Sequence, residues 1–266
     1  MRILRNIALA LFTLALFGCS GNQTNSSGAK EIVISSLLKN LGLGANINSI
    51  VLSVSGAGFD DITRTVDIVD GAATIILDVP IGEDRTFAMT AFDAESVALY
   101  SGSTIADVLA GQVTEVNIRL EPLVAMIRVS PMFTETDTDT QKPIRIFVHN
   151  VDSLFGASFR LEYDTNIVAV ASVTEGNIFG DRETLFFTQQ RPGYVAVAFT
   201  LLGNQSPQGV SSDGTLAVIQ LTPRLAGTTA LAIPQNTLNL IDWQSNTLPR
   251  QGVLYIEEGE IRVDAP

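Results

Sequence analysis

A stretch of strict alternation constrains the fold of this chain more than any other feature. Every second side chain from Ala157 to Tyr163 is apolar, and Ser158, Arg160 and Glu162 occupy the positions between. A period of two is typical of a β-strand that buries one face and exposes the other. Polar residues at 164–166 interrupt the pattern, and an almost wholly apolar run follows. The stretch therefore predicts a half-buried strand, a turn and a more deeply buried strand.

Alternation of this kind recurs along the chain in short runs bounded by Gly, Asp and Asn. Helical periodicity is scarce, and residues 34–43 are the one candidate for a short helix, with an irregular lead-in as the alternative. Short strands separated by regularly spaced turns predict β-sandwiches. We therefore expect an all-β protein, with strands at 48–55, 64–69, 74–79, 85–91, 113–120, 125–129, 144–148, 157–163, 167–173, 184–189, 194–201, 216–222, 229–233, 252–256 and 259–263.

The N-terminus has the layout of a secretory signal. Arg2 and Arg5 precede an uninterrupted apolar run from Ile7 to Phe17. Such a run is too short to span a bilayer comfortably, and basic residues in front of it are typical of a cleaved signal peptide. We therefore expect residues 1–18 to be removed from the mature protein.

The apolar run ends in Leu16-Phe17-Gly18-Cys19, and Cys19 is the only cysteine in the chain. This segment resembles the lipobox of bacterial lipoproteins, which implies that Cys19 is acylated and anchors the protein to a membrane. By the same resemblance, Ser20 after the cysteine favours the outer membrane of the cell envelope. The alternative is a plain cleaved signal with a chance cysteine.

The remaining sequence divides into a tether and two predicted domains. Residues 19–30 are small and polar, and such a segment behaves as a flexible tether. Glu121-Pro122 is a predicted joint, because proline cannot donate a hydrogen bond to a β-ladder. We expect an immunoglobulin-like or transthyretin-like sandwich at 31–121, acting as a spacer, and a second β-domain at 122–266.

Charge and residue usage exclude several classes of function. The formal net charge of −12 would repel nucleic-acid phosphates. His149 is the only histidine, so a histidine metal cluster is impossible and a catalytic triad would depend on that residue alone. The sequence contains no Gly-x-Ser-x-Gly motif. We expect no enzyme activity and no nucleic-acid partner.

Asp137 and Asp139 form the best candidate for a metal site, because Ca²⁺ prefers several oxygen ligands on flexible loops. The glycine and the distal glutamate of an EF-hand loop are missing around them. A solvated acidic loop is therefore the favoured reading, with Ca²⁺ as the alternative, and no other cofactor is expected.

Trp243 is the only tryptophan and a candidate carbohydrate contact. Polysaccharide binding on a flat face needs exposed planar aromatic rings along that face. A single tryptophan in a loop favours a plug for the core or one sugar contact over an extended binding strip.

Several segments of the second half resemble the cohesin domain. The family carries a strand that ends in Tyr-Asp, a turn, and then a buried aliphatic strand. The resemblance covers residues 125–264 in matching order, and its most similar segments are Asn150-Val151, Leu154–Asp164, Asn166–Val168, Val173–Gly176, Ser212–Ala217 and Glu258–Val263.

This resemblance implies a nine-stranded jelly-roll sandwich related to bacterial cellulose-binding modules. It also implies non-covalent binding of a dockerin-like protein, which in cellulosomes is a calcium-loaded domain of an enzyme. Carried over by position, the family's partner face includes Ser158, Arg160 and Glu162, with Gln189 and Gln190 near its rim. The alternatives are a carbohydrate-binding module that captures polysaccharide, and a structural spacer of the envelope whose polar sheet face is ordinary solvated surface.

Overall fold

The structure is a computed structural model that describes residues 29–37, 47–68, 72–110, 116–203 and 209–265. It is almost entirely β, which confirms the predicted fold class. The chain divides into two compact units between Leu123 and Val124. No helix long and apolar enough to cross a membrane occurs among the described residues. The predicted signal peptide and Cys19 lie outside them.

The described part of the first unit contains a two-stranded and a five-stranded sheet. Apolar residues at every second position of the central strands, such as Ile50, Leu52 and Phe87, are fully buried. In the two-stranded sheet β1 (Ala29–Leu37) pairs with β4 (Ala72–Pro80), and the five-stranded sheet has the order β3 (Ile62–Asp67), β2 (Ser49–Ser55), β5 (Gly82–Phe92), β6 (Ala98–Val108) and β7 (Glu121–Pro122).

Three predictions about the first unit are wrong in part. Residues 34–37 belong to strand β1 and not to a helix, and the rest of that predicted helix lies outside the described residues. Strand β1 also includes Ala29 and Lys30, which were assigned to the tether. The segment 116–120 is irregular, although Val116 and Ile118 are buried as its alternation predicts. Burial of alternate side chains does not require pairing of the backbone.

Three sheets build the second unit. Sheet I has the order β12-β15-β10-β8-β18, sheet II the order β13-β14-β11-β17, and sheet III the order β16-β19-β9. The strands are β8 (Met126–Ser130), β9 (Phe133–Thr136), β10 (Lys142–His149), β11 (Gly156–Glu162), β12 (Val168–Glu175), β13 (Thr184–Arg191), β14 (Tyr194–Leu201), β15 (Gly214–Pro223), β16 (Gly227–Leu231), β17 (Asn239–Ile241), β18 (Tyr255–Glu257) and β19 (Gly259–Val263).

The described part of this unit thus has twelve strand segments where the resemblance implied nine. The two segments that were not predicted, β9 and β17, are only four and three residues long. Both pair along the margin of a sheet, β9 with β19 and β17 with β11. Strands this short carry too few alternating positions to be recognised in a sequence.

The core of the second unit lies between the inner faces of its sheets. Sheet II contributes Phe159, Leu161 and Phe199, and sheet I contributes Ile146 and Ile219. Phe159 is only 2% exposed, as the alternation predicts. The outward side chains of β11 and β14 consequently form the opposite face of sheet II.

Replacement of Phe159 by alanine should lower the free energy of unfolding by roughly 3–5 kcal/mol, because it empties a packed site. Phe187→Ala is the matched control, since Phe187 lies on the same sheet and is 60% exposed. An exposed substitution of this kind should change stability by no more than about 0.5 kcal/mol. Urea unfolding of both variants measures the difference, and equal losses would contradict the assigned faces.

Candidate functional site

The outer face of sheet II brings together side chains from four strands. Antiparallel register pairs Ser158 with Ala198, Arg160 with Ala196, and Glu162 with Tyr194. Directly paired residues point to the same side of a sheet. Ser158 and Arg160 are therefore neighbours of two alanines, and the small alanine side chains leave the middle of the face low.

Strand β13 adds large apolar side chains to this face. Leu185 pairs with Thr200, Phe187 with Ala198, and Gln189 with Ala196. Leu185 is 42% exposed and Phe187 is 60% exposed. Large exposed apolar side chains on an outer sheet face are unusual, because antiparallel sheets commonly expose a polar side to water.

Depressions on both sides of the Phe187 ring form one shallow trough. Its floor is Ala196 and Ala198 of β14, one wall is β13, and the other wall is β11 together with the segment after Pro234. We call this feature the trough; its outward-facing lining residues are Ser158, Arg160, Leu185, Phe187, Gln189, Ala196, Ala198, Thr200, Thr237, Asn239 and Ile241.

One end of the trough carries a restrained charge. The guanidinium carbon of Arg160 lies 4.8 Å from the centre of the Tyr194 ring. A cation held over an aromatic ring at an exposed site contributes about 0.5–1 kcal/mol. The backbone N–H of Arg160 donates to Oγ1 of Thr237 at 3.3 Å. The Arg160 guanidinium therefore lies against Tyr194 at this end of the trough.

Gln189 and Gln190, the two glutamines near the rim, lie on opposite faces of β13. Gln189 pairs with Ala196 and belongs to the trough, whereas Gln190 pairs with Val195, a core residue. Gln190 therefore lies on the opposite face of β13 from Ser158 and Arg160, although it is exposed. Its side chain points away from the trough, because a step of one residue reverses the side of a strand, and its role in partner binding stays a prediction.

The other end of the trough leads into a tight hairpin. A Cβ atom at Gly156 would lie 3.3 Å from Cγ1 of Ile241 and 3.1 Å from the carbonyl oxygen of Phe199. The glycine therefore lets β17 lie close against β11. Beyond Ile241 the chain turns back, and the Ile241–Thr247 bridge closes the hairpin.

A buried carboxylate organises this hairpin. Asp242 is fully buried and accepts the backbone N–H groups of Gln244 at 2.8 Å and Asn246 at 2.9 Å. The amide of Asn246 donates at 2.9 Å, and Arg250 donates through Nε at 3.1 Å and Nη2 at 2.5 Å. These bonds, led by the Asn246 amide, lower the pKa of Asp242 from 3.8 to about 2.

Trp243 stands at the tip of this hairpin and is 47% exposed. Of the two roles that the sequence left open, the structure therefore excludes a plug for the core. The indole is presented to solvent from a turn whose backbone is fixed by Asp242.

Comparison with known families identifies this unit. Residues 143–261 match the family model of the cohesin domain. The chain carries a cohesin domain. Cohesin domains are non-catalytic binding modules. The matched residues begin in β10, end in β19 and include every strand of sheet II.

Several solved cohesin structures are similar to this domain. A non-cellulosomal cohesin from the hyperthermophilic archaeon Archaeoglobus fulgidus has 18% identity over 52% of this chain and 90% of its own, with a TM-score of 0.43. CaCohA2 from Clostridium acetobutylicum has 18% identity over 53% and 90%, with a TM-score of 0.42. The third cohesin ScaC from Acetivibrio cellulolyticus, solved with the ScaB dockerin, has 15% identity over 53% and 100%, with a TM-score of 0.45. No curated protein matches the sequence.

Asp137 and Asp139 were the candidate Ca²⁺ ligands, and among the described residues no further acidic side chain joins them to form a metal site. Asp137 accepts the backbone N–H of Asp139 at 3.0 Å. The Thr140 side chain and this N–H hold the pKa of Asp137 below its usual value. Within the described ranges, no group of three or more acidic, histidine or cysteine side chains is placed to hold a metal ion. The geometry of the loop is that of a turn stabilised by hydrogen bonds between its own residues.

His149 has a structural environment in the cohesin domain. Its Nδ1 lies 2.8 Å from Oδ2 of Asp213, and its ring lies 4.6 Å from that of Phe147. Burial lowers the pKa of His149, and the bond to Asp213 opposes that effect. Asp213 also accepts the backbone N–H of Asn150 at 2.9 Å. The pair therefore holds the end of β10 to the start of β15.

Sequence reasoning missed the apolar side chains that β13 places on this face. The ring centre of Phe186 lies 6.1 Å from that of the core residue Phe199, so its neighbour Phe187 must point outward. The same alternation puts Ala196 and Ala198 outward on β14. The alternation along 184–191 and 194–201 predicts these outward side chains. The prediction requires only that the inward and outward sides of both strands be assigned.

The pKa of Asp242 predicts a specific acid response. Its folded-state value of about 2 lies below the ordinary 3.8, so its stabilising contribution is complete above about pH 4 and is lost as the pH falls toward 2. The free energy of unfolding of the wild type should therefore fall more over this window than that of Asp242→Asn, which does not titrate there. Urea unfolding at pH 2–6 measures both curves; parallel curves would show that the carboxylate is not held in this way.

Proposed function

We propose that the trough of sheet II is the surface on which this cohesin domain binds a partner protein non-covalently, and that the partner is a dockerin-like domain. Cohesin domains bind dockerins non-covalently in cellulosome-like assemblies. The observation that carries the proposal for this chain is the pair of exposed apolar side chains that β13 places on this face, with Phe187 at 60% and Leu185 at 42% exposure.

The composition of the trough supports a protein partner. The apolar side chains of β13 and β14 are bordered by the polar Gln189 along β13 and by Ser158 and Asn239 on β11 and β17. A desolvated apolar centre with a polar rim is the usual anatomy of a protein–protein interface. Apolar patches on a soluble protein mark interaction sites when a polar rim surrounds them.

Charge supports a partner that brings a carboxylate to one end of the trough. Arg160 lies in the trough, and Arg191 is exposed on the same face beside Tyr194. Glu162 is the acid of β11 on this face, in a chain of net charge −12. Opposite charges across an interface steer encounter and fix orientation.

Polysaccharide binding is the second candidate, and one observation favours it: the rings of Phe187 and Trp243 are both exposed. Stacked sugars need accessible ring faces in a row. Tyr194, the third aromatic residue of this face, is covered by the Arg160 guanidinium. The row is thereby interrupted, which favours the protein partner over a carbohydrate-binding module. A purely structural spacer would leave the exposed Phe187 without a role.

The location proposed for this function is the cell envelope. An acylated Cys19 and the tether behind it would hold the two units at a membrane surface. The membrane we propose is the outer membrane. Each buried methylene of an acyl chain contributes about 0.8 kcal/mol, so two or more chains make release negligible. The first unit would then act as a spacer.

Binding of dockerins by the full chain tests the proposal. We expect at least one member of a panel of recombinant dockerin domains to bind in the presence of Ca²⁺ and to be released by EDTA. Phe187→Ser should weaken that binding at least about tenfold, or about 1.4 kcal/mol. Leu225→Ser is the matched control, since Leu225 is 58% exposed and lies outside the trough. Titration calorimetry measures both; equal affinities would place the interface elsewhere.

Replacement of Cys19 by serine tests the anchor separately. A serine cannot accept the thioether-linked diacylglycerol, so the variant should move from the membrane fraction to the soluble fraction. Cell fractionation with immunodetection measures this, and Ser20→Ala serves as the matched control. A variant that still sediments with membranes would refute the anchor.

A further inference from the structure

We propose that Trp243 is a preorganised anchor that extends the trough beyond sheet II and receives an apolar side chain of the same helical partner. The inference rests on the proposed function and adds to it a contact residue and the direction of the partner along the trough.

The hairpin presents the indole from a fixed backbone. Asp242 binds two backbone N–H groups of the turn and two side chains, Asn246 and Arg250. The N–H of Ser245 donates to the carbonyl of Asp242 at 3.0 Å, and Ser245 has a φ of 65°. A loop that is ordered before binding loses less entropy when it binds. This buried carboxylate therefore serves to position Trp243.

Trp243 continues the line of the trough. Exposure alternates along the hairpin: Leu240 and Asp242 are fully buried, Ile241 is half-buried, and Asn239 and Trp243 are exposed. Asn239 and Ile241 line the trough. Trp243 lies two residues beyond Ile241, in the turn that the Ser245 N–H closes onto the Asp242 carbonyl, and therefore stands past the end of the trough opposite Arg160.

The register sets the length of this combined surface. Arg160 is four residues along β11 from Gly156, Gly156 pairs with Ile241, and Trp243 is two residues further. At about 3.3 Å per residue, Arg160 and Trp243 are separated by roughly 20 Å. An α-helix rises about 1.5 Å per residue, so about 13 residues cover that distance. The surface therefore fits an amphipathic helix of three to four turns.

The two ends of the surface differ in chemistry, which gives the helix a direction. The Arg160 end offers a guanidinium held over Tyr194, which suits a carboxylate on the partner. The Trp243 end offers a large apolar ring, and buried tryptophan is among the residues that most often dominate binding energy. The partner helix should carry an acid at one end of its apolar stripe and a bulky aliphatic residue at the other.

Fluorescence reads this contact directly, because Trp243 is the only tryptophan of the chain. The probes are tryptophan-free, Ca²⁺-loaded dockerin domains of the panel, added to the full chain. Binding should shift the emission of Trp243 to shorter wavelength, and Trp243→Ala should weaken binding at least about tenfold with an unchanged melting temperature. Leu225→Ala, an exposed apolar truncation outside the surface, should leave the affinity unchanged.

The role of Asp242 has its own readout in the absence of partner. Asp242→Ala should release the turn, so time-resolved anisotropy of Trp243 should show faster local rotation than in the wild type. The same variant should bind the probe more weakly than wild type while retaining its indole. Unchanged anisotropy would overturn the claim that the carboxylate positions Trp243.

The remaining outcomes separate this inference from the proposed function. One outcome is a probe that binds without changing the emission of Trp243 and that binds Trp243→Ala with unchanged affinity. That result would contradict the role of Trp243 as an anchor but not the proposed docking face. If no probe binds, both fail. An emission shift on addition of cellulose or xylan, with none on addition of the dockerin domains, would overturn the helical partner and assign Trp243 to polysaccharide.

Discussion

Packing of the inner face of sheet II against sheet I is the constraint from which the rest of the second unit follows. Phe159 and Phe199, on neighbouring strands of sheet II, are buried, and Phe179 meets Phe199 edge-on with ring centres 5.5 Å apart. Because side chains alternate along a strand, burying these residues determines which side chains face outward. The docking face is therefore a direct consequence of the core.

The outer face differs from an ordinary solvated sheet in how its side chains are held. Arg160 is held over Tyr194, and Trp243 is presented by a turn that Asp242 fixes. The alanines of β14 keep the centre low, while Phe187 stands above it. A surface whose charged and aromatic groups are held beside exposed apolar side chains suits recognition of one partner, since less ordering remains to be done on binding.

Much of this architecture follows from residues that can be read in the sequence. The alternation of 157–163 and 194–201 predicts both strands of the sheet II centre and the burial of Phe159. Strand β6 was not predicted, because its residues 101–104 are Ser, Gly, Ser and Thr and carry no apolar alternation. The presence of a strand there depends on its neighbour β5, with which it pairs.

The candidate site was less predictable, because its decisive contacts depend on register between distant segments. The cation–π contact joins Arg160 to Tyr194, which come together only when β11 pairs with β14. The exposure of Trp243 depends on Asp242 and its bond to Arg250. A periodic pattern gives each strand a face but does not give the pairing between strands, so the composition of the trough could not be derived from single segments.

The central claim is that the outer face of sheet II is the docking surface, and the alanine methyl groups test it most directly. Methyl NMR spectra of the full chain can be compared before and after saturation with a Ca²⁺-loaded dockerin domain that binds. The account predicts chemical-shift changes for Ala196 and Ala198 on the trough floor, with Ala169 of sheet I and Ala230 of sheet III unchanged. Changes at Ala169 or Ala230 with Ala196 and Ala198 unaffected would contradict it.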